Sequence, residues 1–124
     1  MLRMTRWARP VSGLAMMIGL LGVAPYSLWA HVQQEGSYPE HEAIVDGTPA
    51  RIAVWFDHTM RLTSFEVTGP NGRVDLAAQP GRSPVSRFET VPAESMPPGE
   101  YTVRWRGLAP DGHVMFDEYY FTVR

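Results

Sequence analysis

Four histidines, His31, His41, His58 and His113, are the soft-to-borderline metal donors of a 124-residue sequence that has no cysteine. His31 directly follows Ala30, a small residue of the kind that precedes a signal-peptidase cut. Cleavage there makes His31 the first residue, so its α-amine and its imidazole close a chelate ring on one ion. The α-amine titrates near pH ~7.7 and is partly deprotonated at neutral pH. Copper(II) favours tetragonal nitrogen and oxygen donors and heads the affinity order, which makes it the ion this chelate suits best. Any residue type can follow a leader, so His31 needs a second feature beside it.

That second feature is Asp111-Gly112-His113. On extended backbone, residues i and i+2 project from one face, which aims a carboxylate and an imidazole at one ion. Asp-Gly is equally ordinary turn chemistry before a strand. His58, in Phe56-Asp57-His58-Thr59-Met60, is a further candidate as an outer or axial group, or else a solvent-facing loop histidine. His41, between Glu40 and Glu42, reads as a solvated loop residue. Past residue 30 the methionines are Met60, Met96 and Met115, scattered as core fillers rather than clustered as a copper(I) site requires. No nucleophile triad signature, phosphate-cradling glycine loop or CxxC occurs.

Residues 1–30 read as a cleaved signal peptide and residues 31–124 as the one folded domain. Arg3, Arg6 and Arg9 form the positive n-region, and the uncharged run Val11 to Ala24 forms the apolar h-region. That run is shorter than the roughly 20 apolar residues a bilayer span needs. A cut after Ala24 would place Pro25 first, which is poorly tolerated, so Ala30 is the expected site; an uncleaved anchor is the rival. A periplasmic location without stable membrane insertion follows. Loss of three arginines and no acid makes the mature domain more acidic than the whole chain's −2, and it has no lysine. Nucleic acid and anionic membranes are therefore poor partners.

The rest of the chain reads as short alternating runs broken by Gly, Pro, Asn and Asp, the pattern of an all-β protein. Ile52, Val54 and Phe56 mark one strand, and Phe65 and Val67 begin another. A tight turn at Asn71-Gly72 returns through Val74 and Leu76. Gln79 to Pro84 is a loop and Arg87 to Val91 a short strand. Tyr101, Val103 and Trp105 face inward on the clearest strand, and Tyr119, Phe121 and Val123 on the last. Six or seven strands imply a small Greek-key, immunoglobulin-like β-sandwich or barrel.

These residues resemble the CopC copper-resistance family. The likeness rests on Ala30-His31 at the end of the leader, on Pro49-Ala50-Arg51-Ile52-Ala53-Val54-Trp55-Phe56, and on Met96 through Arg106 (MPPGEYTVRWR). It closes on Asp111-Gly112-His113 and Phe121-Thr122-Val123. The resemblance implies a Greek-key sandwich holding copper(II) through His31 (amine and ring), Asp111 and His113. It also implies a periplasmic carrier or buffer, sometimes beside a CopD-type inner-membrane copper transporter. Three departures stand out: Gln33 replaces a frequent second histidine, His58 stands where a glutamate is common, and no methionine-rich loop lies between Val67 and Arg87.

The expected function is thus non-catalytic copper(II) sequestration, buffering or delivery by a monomer. Two other classes remain in view. A terminal histidine plus a second one resembles the histidine brace of copper oxidases and oxygenases, though so small a sandwich offers little substrate surface. A metal-free interaction module, with Trp55 and Tyr120 as an outward sticky patch, is the other.

Overall fold

The structure is a computed structural model that describes residues 33–124; His31 and the segment 1–30 lie outside the described residues. Seven strands follow in order: β1 (Gln34–Tyr38), β2 (Ile44–Val45), β3 (Ile52–Gly69), β4 (Gly72–Val74), β5 (Val85–Thr90), β6 (Gly99–Leu108) and β7 (Val114–Val123). The expected all-β architecture of about seven strands is what forms.

The alternating runs zip into two sheets that share one strand. The first half of β3 lies between β1 and β5, both antiparallel to it. Its second half pairs with β6 and, at its end, with β4, while β6 pairs with β7 along their full length. β2 adds a short parallel edge to the end of β7. The sheets curl toward each other and enclose the core. Phe56 meets Trp105 edge-on at 4.8 Å, Phe65 meets Phe88 at 4.9 Å, and the buried Tyr119 hydroxyl donates across to Ala53 O at 3.1 Å.

The sequence suggested two strands where the structure has the single 18-residue β3. Apart from Ala53, the buried positions are even-numbered up to Leu62 and odd-numbered from Phe65 onward. The phase changes at a bulge: Leu62 pairs with Gly107 and Ser64 with Arg106, which leaves Thr63 as the extra residue. Thr63 Oγ1 donates to Arg106 O at 3.0 Å and holds the bulge in place. The hairpin after β3 also differs by one residue. Pro70 and Asn71 are its central pair, flanked by Gly69 and Gly72, and only Gly72 takes a positive φ (100°). Proline favours the first central position of a turn, which shifts the glycine to the flank.

Two further contacts hold the elements that reach the candidate site. The Tyr101 hydroxyl donates to Pro97 O at 2.6 Å, a tyrosine-corner bond that sets the entry into β6. Gly69 passes so close to the Tyr101 ring that no side chain fits between them. The rigid β6–β7 hairpin that results carries residues 109–113 at its tip.

Candidate metal centre

The hairpin tip explains why Asp111 and His113 meet. Ala109 N–H donates to His113 O and Gly112 N–H to Ala109 O, both at 2.9 Å, and Gly112 takes φ 89°. Glycine tolerates that backbone at no steric cost. The pair is therefore joined by a turn, not by the extended spacing that the sequence also allowed. Asp111 Oδ1 accepts the His113 backbone N–H at 3.1 Å, and Oδ2 lies 2.7 Å from His113 Nδ1. A carboxylate on one ring nitrogen fixes an imidazole's tautomer and direction, the usual preparation of a metal-binding histidine. The backbone N–H of His113, and then its ring, hold the Asp111 carboxyl below the ordinary aspartate range.

His58 lies on the stretch of β3 where pairing with β1 has ended at Phe56 and pairing with β5 is interrupted between Trp55 and Met60. Its ring is largely exposed and its Nδ1 is 3.3 Å from Asp57 Oδ1. That oxygen also accepts the Gln33 backbone N–H at 2.8 Å, and Asp57 N–H donates back to Gln33 O at 3.0 Å. Gln33 N–H is the main reason the Asp57 carboxyl sits below its ordinary range.

The two Asp–His pairs share one end of the molecule. Arg61, three residues after His58, pairs with Leu108, and a shallow hollow there is lined by Thr59, Arg61, Pro110 and Gly112. Both imidazoles are open to solvent, at 70% exposure for His58 and 65% for His113. Among the described residues no three His, Cys, Asp or Glu side chains gather closely enough to hold a metal. The described part of the site thus supplies donors in pairs, and His31 lies outside it.

His41 is more anchored than its sequence neighbourhood suggests. Its Nδ1 accepts the Tyr120 backbone N–H at 3.3 Å, and its ring meets the Tyr120 ring edge-on at 4.4 Å. Tyr120 in turn donates to Glu42 at 2.9 Å, and the Arg87 guanidinium lies over the Trp55 ring. Met60 and Met96 are buried in the core and Met115 packs against it, as expected of fillers. A hollow lined by Glu66, Arg104, Arg106 and Phe116 on the outer sheet face carries no histidine. Asp57 was not singled out in the sequence, yet it holds the chain entering β1, as does the Trp105 indole N–H, which donates to Gln34 Oε1 at 2.7 Å.

The CopC domain family matches residues 34–124. Copper resistance protein C of Escherichia coli is 30% identical over 116 residues, covering 85% of this chain and 90% of its own. Protein YobA of Escherichia coli K12 is 29% identical over 102 residues, covering 79% and 82%. Among solved structures, the methionine-rich copper resistance protein PcoC of Escherichia coli superposes with a TM-score of 0.62 at 28% identity, over 77% of this chain and all of its own. CopC of Methylosinus trichosporium OB3b gives 0.61 at 22% identity over 75% and 93%, a likeness of fold. The sandwich, the hairpin with its Asp111–His113 tip and these matches lead to one assignment: the chain belongs to the CopC family of copper-resistance proteins.

Proposed function

We propose that this protein is an exported, periplasmic, non-catalytic carrier or buffer of copper(II), its cargo ion held by His31, Asp111 and His113 with His58 alongside. The observation that carries the reading is the Asp111–His113 pair, formed by the backbone of a rigid hairpin tip at the end of the molecule where Gln33 is fastened to Asp57. Residue 31 is two positions before Gln33 in the sequence. The donor chemistry suits the ion: amine, imidazole and carboxylate are the nitrogen and oxygen donors that a tetragonal cupric ion selects. The name of the Escherichia coli relative, copper resistance protein C, supports the same cargo. Delivery to a CopD-type membrane transporter and action as a monomer belong to this reading too.

The test places one serine between Ala30 and His31, with the processed N-terminus read by mass spectrometry. Every native side chain survives, but the amine leaves the chelate. Copper(II) affinity is expected to fall by at least the roughly 10–100-fold that losing a ligand's hydrogen-bond partner costs. Unchanged affinity, or a natural N-terminus other than His31, sinks the reading. Peroxide formation with ascorbate well above that of free copper would favour an oxidase instead.

A further inference from the structure

A donor supplied by a chain terminus is useful only if the chain arrives at the same place each time. The entry into β1 has a weak point: its register against β3 slips between Gln34 and Gly36, so Glu35 has no ladder partner. Upstream of that slip the ladder offers one pair, Gln34 with Phe56. Two side chains reinforce it. Trp105, buried and edge-on to Phe56, donates its indole N–H to Gln34 Oε1 at 2.7 Å. Asp57 Oδ1 accepts the Gln33 N–H at 2.8 Å while Asp57 N–H returns to Gln33 O at 3.0 Å, closing a two-bond ring around residue 33.

From this geometry we propose that Asp57 is a positioning residue for metal capture: its carboxylate pins the backbone at Gln33 and so presets the approach of the N-terminal donors to the Asp111–His113 tip. The inference rests on the copper reading above and adds a role that spacing does not reveal. The oxygen that holds Gln33 also lies 3.3 Å from His58 Nδ1, so one atom aligns both the incoming chain and the neighbouring imidazole. Ordering these groups before the ion arrives removes an entropic cost from binding. Outer-shell groups of this kind commonly change metal affinity by about 10–100-fold. The Gln33 N–H also holds the Asp57 carboxyl below its ordinary range, as a bond to the ionised form must.

The test uses the processed full chain and its Asp57→Ala and Asp57→Asn variants. Three quantities are read: copper(II) affinity and release rate, exchange of the Gln33 amide in metal-free protein, and thermal unfolding. Asp57→Ala is expected to weaken copper(II) binding about tenfold, chiefly through faster release, and to speed Gln33 exchange with little change in melting. Asp57→Asn keeps an oxygen acceptor and is expected to restore most of both. Wild-type affinity in Asp57→Ala overturns the proposal, as does weakened binding with Gln33 still protected, or an Asn variant as weak as Ala. A parent chain that takes up no copper(II) overturns the cargo reading itself, an outcome distinct from a parent that binds and is indifferent to residue 57.

Discussion

Asp57 and Asp111 each accept a backbone N–H and face an imidazole, and in both the N–H is the leading cause of a lowered pKa. The sign follows directly. A carboxyl depressed on folding contributes stability above its unfolded value, and that contribution drains away as pH falls through the folded one. Both contacts are therefore complete at neutral pH and are lost only in acid below the ordinary value of 3.8. Protons compete with copper(II) for its nitrogen donors, so affinity falls as the medium is acidified. Copper(II) is expected to leave during mild acidification, while the Gln33 and His113 amide resonances titrate with midpoints below 3.8; amide shifts that move together with copper release would contradict this order. At this scale the sequence was informative where the partners are neighbours. Asp111 and His113 stand two apart and could be paired on paper. Asp57 meets Gln33 from 24 residues away and Trp105 meets Gln34 from 71, and no local pattern announces either bond.

Elements whose alternation never breaks were the legible ones. Tyr101, Val103 and Trp105, and then Tyr119, Phe121 and Val123, keep one phase throughout and are all buried. β3 was hidden because the Thr63 bulge switches its inward face midway, so one strand looks like two. The turn that ends β3 was displaced by Pro70, whose fixed φ takes the position that Asn71 would otherwise hold. Close approach is equally silent in the sequence. Gly69 lies against the Tyr101 ring, which is 1% exposed and stacked on Phe121. A methyl group there must displace a ring that has nowhere to go. Gly69→Ala is expected to cost about 1–3 kcal/mol in a denaturant melt, the range for overpacking a filled core; a neutral result would show that β3 and β6 can separate freely at this point.

For the molecule as a whole, the decisive fact is that both sheets own the same strand. Ile52 to Phe56 packs in one and Phe65 to Gly69 hydrogen-bonds in the other, while Tyr119 ties them across the core. Neither sheet can melt without taking β3 from its neighbour. Unfolding is expected to be a single transition, with near-ultraviolet signals from the buried Trp105 coinciding with far-ultraviolet loss of sheet; separated midpoints would mean the halves are independent. The same arrangement imposes a rule of counting at Thr63. Its side chain faces solvent, and its hydroxyl fastens the bulge to Arg106 O. Strike out that one position and the ladder closes up: Leu62, Ser64 and Phe65 would run consecutively opposite Gly107, Arg106 and Trp105, with Phe65 and Val67 still inward and the bend of the bulge gone. One surplus residue thus costs the strand no partner and supplies the bend by which a single strand can serve two sheets; a single-codon deletion would keep the pairing and straighten the chain.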